Sequence, residues 1–238
     1  MAKKNNDAHQ VSPLTVIRGE QVTANYADQL VPEYCGNPLI EPLPPLWTQS
    51  EVEQMLSYFP HYDAQQMMLA DEIRLHLLEN AREFFIPQGV HHEIHLSISN
   101  MLRRGYIDRN PIMRGMWAGR AAKMNELEHR LQRRAFLRSK ARGMCIIGLG
   151  GVGKSTAVEN ILSLYPQVIT HTSYKGQHLI LKQLVWVKLQ CPSDGSLKGL
   201  CINYLEEVDD ILGTNYVKYY GASRRTVVEL LLIMARVA

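Results

Sequence analysis

The chain has 238 residues, 46% of them apolar and 21% charged, and a formal net charge of +3. That balance is globular and excludes a uniformly basic protein, so any affinity for nucleic acid has to come from a local patch. Its four cysteines, Cys35, Cys145, Cys191 and Cys201, form no Cys-x-x-Cys pair, which argues for reduced thiols in a cytoplasmic protein and against a disulfide framework or zinc site.

The polar start holds no apolar core of a signal peptide, and no run approaches eighteen apolar residues, so no membrane span is expected. Residues 1–46 read as an irregular, proline-rich extension. Four of the eleven prolines fall in Asn37–Pro45, which is incompatible with helix or central strand and is expected to run extended along a surface or partner, or to act as a linker. Residues 47–142 read as a helical part. Ser50-Glu-Val-Glu53 predicts a capped helix to about Tyr58. A longer helix is expected over Asp63–Phe85, with Leu69, Ile73, Leu77, Ala81 and Phe84 on one face. Another is expected over about His91–Arg104, with Ile94, Ile98 and Met101 or Leu102 on one side. His91 and His95 are four apart and could share a metal, but with no third ligand nearby a solvated polar face is favoured.

Gly105–Pro111 breaks the helical pattern, and a helix-rich stretch is expected from Trp117 to Arg142. Within 120–142 eight Lys/Arg face only Glu126 and Glu128. Arg130, Arg133, Arg134 and Arg138 are therefore candidates for contact with a DNA phosphate backbone, the alternative being a solvated helix.

Residues 143–238 read as an incomplete α/β core. Met144–Ile147 is a short apolar run of the kind a buried parallel strand needs. Gly148-Leu-Gly-Gly-Val-Gly-Lys154-Ser155-Thr156 follows and fits G-x-x-x-x-G-K-[ST], the phosphate-binding loop. Ala157, Val158, Ile161, Leu162 and Tyr165 then recur at helical spacing up to Pro166. Strand, glycine loop and helix is the order that phosphate binding requires, because glycines turn backbone N–H groups inward and a helix N-terminus adds positive potential. Gly148, Gly150, Gly151, Val152 and Gly153 would cradle phosphate. Lys154 would reach its oxygens, and the Ser155 hydroxyl, beside Thr156, would hold Mg²⁺. A glycine turn that binds nothing is the alternative.

Val168–Tyr174 and Leu184–Leu189 read as strands flanking Lys175-Gly176. Ser193–Ser196 opens a helix through Leu200, Tyr204, Val208 and Ile211 to a stop at Gly213. Its Glu206, Glu207, Asp209 and Asp210 have helical surroundings and do not form the strand-borne Asp-Glu of an ATPase. Val227–Met234 is a helix-like apolar segment after which the sequence reads as cut short.

Loop and flanks together carry a resemblance. Tyr34–Pro45, Arg103–Pro111, Tyr165–His171 and Cys191–Lys198 through Leu212–Tyr216 closely resemble TnsC, the AAA+ regulator ATPase of multi-subunit DNA transposons, and its relative TniB. The resemblance runs in order from about residue 34 onward. It implies a P-loop NTPase fold of the AAA+ class, an incomplete parallel sheet with helices on both faces, binding of ATP and Mg²⁺, and assembly into rings or filaments on double-stranded DNA. The implied partners are a target-selector protein and transposase subunits. It also implies a base-side wall at Tyr106, Ile107, Arg109 and Pro111. The family's Asp-Glu strand, sensors and arginine finger are absent, so hydrolysis is expected to be poor. Two other readings compete. One is an NB-ARC-type signalling NTPase, which shares the Gly-x-Gly-Gly-Val-Gly-Lys loop. The other is a non-enzymatic interaction module whose loop is vestigial.

Overall fold

The computed structural model describes residues 19–61, 63–107, 109–112, 143–221 and 224–237. It is a mixed α/β structure in two compact units that interleave along the sequence. The first holds described residues within 46–97 and 146–164, and the second those within 18–45, 98–145 and 165–238. The expected basic helix from Trp117, with Arg130, Arg133, Arg134 and Arg138, lies outside the described residues. No helix among the described residues is long and apolar enough to cross a membrane.

The second unit is built on three strands, β1 (Gln21–Thr23), β2 (Val168–Tyr174) and β3 (Gln177–Leu184), in the order β1-β2-β3. β1 pairs parallel with β2, while β2 and β3 pair antiparallel, so the expected parallel sheet is realised as a mixed one. Lys175 and Gly176 set that pairing. Both have positive φ, 46° and 78°, the turn that joins two antiparallel strands through two residues. The second strand must therefore begin at once, at Gln177. Of the run Leu184–Leu189, expected as a strand, Leu184 closes β3 and residues 185–189 follow as irregular chain with Val185 and Trp186 buried.

β1 comes from the segment expected to be an irregular extension. Val168 and Ile169, fully buried, stand in register with Gln21 and Val22. Gly19, just before β1, meets the neighbouring strand ends so closely that a Cβ would lie 2.5 Å from Gln167 Cβ and 2.6 Å from a Trp186 ring carbon. Only glycine fits there. The proline-rich stretch also departs from expectation. It is not a surface strap: Leu39, Ile40 and Leu43 are buried, and Ile40 is fully so. Prolines leave few backbone donors to satisfy, and Asn37 organises the rest. Its backbone carbonyl accepts the amides of Ile40 and Glu41, both at 3.0 Å. Its side chain accepts the Leu39 amide at 3.0 Å and donates to the Tyr106 carbonyl at 2.7 Å.

A buried polar chain ties this segment to the sheet. Tyr26 Oη lies 2.9 Å from His171 Nδ1, His171 Nε2 lies 3.0 Å from Gln183 Oε1, and Gln183 Nε2 donates to the Leu39 carbonyl at 2.9 Å. The arrangement suits a neutral imidazole protonated on Nε2, with the tyrosine donating to Nδ1. Burial pushes the His171 imidazole below its ordinary pKa, so it stays neutral near pH 7.

The helical layer of this unit has α5 (Leu197–Leu212), α6 (Tyr216–Tyr220) and α7 (Val227–Val237), numbered after the helices given below. α5 begins as expected, with Ser196 accepting from the Gly199 amide, and ends at Gly213 in the left-handed region. Its Cys201 and Leu205 pack with Leu230 and Ile233 of α7 as a buried cluster. Asp209 accepts from Thr214 Oγ1 and the Tyr216 amide, both at 2.6 Å, and from the Val217 amide at 2.9 Å. It therefore caps the start of α6. Burial works to raise this carboxyl, but those hydrogen bonds outweigh it and hold it below its ordinary value.

In the first unit, α1 (Gln49–Leu56) is capped two residues earlier than expected, with Thr48 and Glu51 forming the reciprocal box. Thr-x-x-Glu at 48–51 supplies the same chemistry as Ser50–Glu53 but frees Val52 and Leu56 to be buried. The long helix expected over Asp63–Phe85 is broken into a 3-10 turn at Ala64–Met68, α2 (Asp71–Leu77) and a second 3-10 stretch at Leu78–Glu83. No residue of the 3-10 turn or of α2 is buried, so periodicity there had no core to fold against. α3 runs over Gly89–Ile107, beyond its expected end at Arg104, its residues to Ser97 belonging to the first unit and those from Ile98 to the second, with Ile94 and Ile98 buried as expected.

Candidate functional site

The glycine loop lies in the first unit and leads directly into α4 (Lys154–Ser163). Gly151 and Gly153 have φ of 80° and 81°, a region that a side-chain-bearing residue enters only under strain. Cβ atoms added at Gly150, Gly151 or Gly153 would meet nothing within 4 Å, so the glycines face open space. Gly153 stands as the N-cap of α4, and among the described residues no side chain caps the amides of the first turn. An uncapped helix start behind left-handed glycines is the geometry in which backbone N–H groups can donate to an outside anion.

Lys154 closes the loop on itself. Its ammonium donates to the carbonyls of Gly148 at 2.8 Å and Leu149 at 2.5 Å. Two backbone oxygens thus stand where a lysine of this motif would offer its charge to phosphate oxygens. Ser155 and Thr156 are exposed at the mouth of the helix, while Ala157 and the fully buried Ile161 anchor its inner face. Val152 is 60% exposed and Leu149 81% exposed. The donor set fits a polyphosphate: one ammonium, unfilled first-turn amides and a serine hydroxyl.

The support behind the loop differs from expectation. Met144–Ile147 is irregular and Ile147 is 90% exposed, so no buried strand precedes the glycines. A strand exists by pairing, and no strand among the described residues pairs with this run. Cys145, expected in a core strand, is exposed. Among the described cysteines Cys201 alone is buried, and all four are free thiols.

Of the residues implied as a base-side wall, Tyr106 and Arg109 line a cavity of about 310 Å³ in the second unit, with Met101, Leu102, Trp186 and Tyr204 among its other walls. Ile107 and Pro111 do not line it. Tyr106 donates to the Leu184 carbonyl at 3.3 Å, and burial pushes its phenol above the ordinary value. Burial raises the Tyr204 phenol as well, against the pull of the Arg109 charge. Sequence reasoning missed Trp186 and Tyr204 as wall residues. Their aromatic character is the available signal, but by sequence pattern Trp186 reads as part of a strand and Tyr204 as a helix core position.

No group of three or more metal-ligating residues that could hold an ion occurs among the described residues. The histidines expected on a solvated polar face are not all exposed. His95 is 1% exposed, with its ring 5.7 Å from that of Trp47, and His91 Nδ1 accepts the Gln88 amide at 2.8 Å. Glu206, Glu207, Asp209 and Asp210 all lie on α5, and Asp209 is committed to capping α6.

No protein-family model matches the chain, and no curated protein is significantly similar to it.

Proposed function

We propose that this chain binds the phosphates of ATP at Gly148–Thr156 and serves as an ATP-binding regulator of DNA transposition of the TnsC and TniB kind, with an AAA+ P-loop core. The observation that carries the nucleotide reading is the Lys154 ammonium held over the loop carbonyls, at the head of an uncapped helix behind left-handed glycines. The transposition reading is supported by the ordered resemblance from Tyr34 to Tyr216.

When bound, Mg²⁺-ATP supplies a polyphosphate whose charge the protein must neutralise. Lys154 exchanges two neutral carbonyl acceptors for charged oxygens, which makes stronger, charge-assisted hydrogen bonds. First-turn amides of α4 would donate to further phosphate oxygens, and Ser155 would offer its hydroxyl to the metal. Gly151 and Gly153 keep that backbone turned inward. Turnover is expected to be slow, because the acidic residues of α5 sit on a helix and Asp209 is engaged in its cap.

Titration of the full chain with a fluorescent ATP analogue tests this, with and without Mg²⁺. Lys154→Ala should weaken binding by roughly 10- to 100-fold, the loss of one or two hydrogen bonds to a charged group. Equal affinity in the variant would overturn the loop reading. Retention of duplex DNA indifferent to ATP would overturn the regulator reading in favour of an interaction module.

A further inference from the structure

The first unit carries a surface that nucleotide binding does not use. Phe59, Met67, Met68, Ile73, Leu75 and Leu78 are all at least half exposed, and Met68 is 91% exposed. They lie along a short stretch in which the chain turns through the Ala64–Met68 3-10 turn, α2 and the Leu78–Glu83 3-10 stretch. Single exposed apolar residues need no explanation, but a run of this density marks an interaction surface. A cavity of about 330 Å³ opens in it, walled by Pro60, Met67, Leu77 and Leu78, with His61 and Arg74 among its polar edges. That is room for an anchoring side chain of a partner.

The charge around this surface selects the partner. Residues 46–97 hold eight carboxylates (Glu51, Glu53, Asp63, Asp71, Glu72, Glu79, Glu83 and Glu93) against Arg74 and Arg82, and no lysine. This stretch is therefore net −6 in a chain of net +3. Arg74, the cation at the cavity, is already paired with Asp71 at 3.4 Å. An acidic partner would meet like charge, whereas a basic one would be steered in and held. Methionine suits such a surface, because its flexible thioether repacks around differing side chains.

We infer that this surface docks a basic amphipathic helix of a partner protein, its apolar face over Met67, Ile73 and Leu78 and its lysines or arginines toward the carboxylates. The helix presents apolar anchors at positions i, i+3, i+4 and i+7, one of them seated in the cavity. No residue of the glycine loop walls the cavity, so its occupancy is not expected to require nucleotide.

Fluorescence anisotropy on the full chain tests this with two labelled peptides of about fifteen residues, long enough to form a helix. One carries leucine and lysine in an amphipathic pattern, and the other has glutamate in place of each lysine. The lysine peptide should bind, weaken as salt is raised, and lose at least roughly fivefold in affinity in Met67→Gln/Leu78→Gln and in Glu72→Lys. Those side chains are exposed, so the variants should keep the circular dichroism spectrum of the parent. Lys154→Ala should leave peptide binding unchanged. Equal binding of both peptides would reduce the surface to unselective apolar contact. Binding indifferent to the variants would place the peptide elsewhere. Self-association abolished by Met67→Gln/Leu78→Gln would make a second copy the occupant. Each of these three results overturns the inference.

Discussion

The two compact units handle their polar and apolar groups in opposite ways. In the second, a chain of buried polar side chains is answered within the fold, although Arg103 Nε and Tyr174 Oη are buried without a partner: His171 sits between Tyr26 and Gln183, and Gln183 continues to the Leu39 carbonyl. Asp209 spends both carboxylate oxygens on the α6 terminus. In the first, chemically active groups face outward. Lys154 rests on carbonyls of its own loop, the first-turn amides of α4 have no cap, and large apolar side chains around α2 are open to solvent. A satisfied interior fixes structure but has little left to offer a ligand, whereas unfilled donors and uncovered apolar area are stable only because they are few or because something else covers them. The second unit therefore reads as scaffold, and the first as the unit that carries the groups proposed to bind.

Mutations can break that contrast, and the largest effect should fall in the scaffold. Leu205 is fully buried in the cluster with Cys201, Leu230 and Ile233. Leu205→Ala should cost about 2–5 kcal/mol, the range for emptying a buried leucine site. Urea unfolding followed by tryptophan fluorescence would read the loss, and a change below about 1 kcal/mol would show the cluster to be loosely packed.

A smaller effect should appear on acidification. His171 is neutral in the fold because burial lowers its pKa, while the unfolded chain titrates near 6.5. The unfolded state then binds more protons below that value, so the stabilisation is present above pH 6.5 and is lost as pH falls through the folded pKa. A single group can supply at most about 1.4 kcal/mol per pH unit. His171→Gln should flatten the dependence of the urea midpoint between about pH 7.5 and 5.5. A slope unchanged in the variant would assign the acid sensitivity to another group.

The smallest effect is expected just before the glycine loop. Ile147→Ser alters a side chain that is 90% exposed. It should shift stability by no more than about 0.5 kcal/mol, as surface substitutions do. A loss as large as that of Leu205→Ala would restore the buried strand expected from the apolar run and erase the contrast between the two units.

Local chemistry made much of this molecule legible in advance. Ser196 and Gly213 delimit α5 because a side-chain acceptor and a left-handed residue act within one turn of the helix. The positions of Lys154, Ser155 and the loop glycines were legible because the motif is a contiguous stretch of chain. Where expectation failed, the missing information was non-local. Periodicity over Asp63–Phe85 signals a helix only if a core receives its apolar face, and none does. The run Met144–Ile147 is a strand only if another strand pairs with it. Asn37–Pro45 lacks the pattern of any regular element, yet it is buried, because Asn37 supplies turn hydrogen bonds that proline cannot.

Sequence alone determined the elements whose cause is short-ranged: the Lys175-Gly176 turn, the caps of α5, and a glycine loop running into a helix. Tertiary structure decided everything that depends on a distant partner. It brought Gly19 against Gln167 and Trp186 so closely that no side chain fits, and it joined Tyr26, Leu39, His171 and Gln183 into one buried chain. It also left α2 uncovered. Hydrogen-bonded turns and caps are settled within a few residues, but burial is a property of what packs against a residue, and that is set by the whole fold.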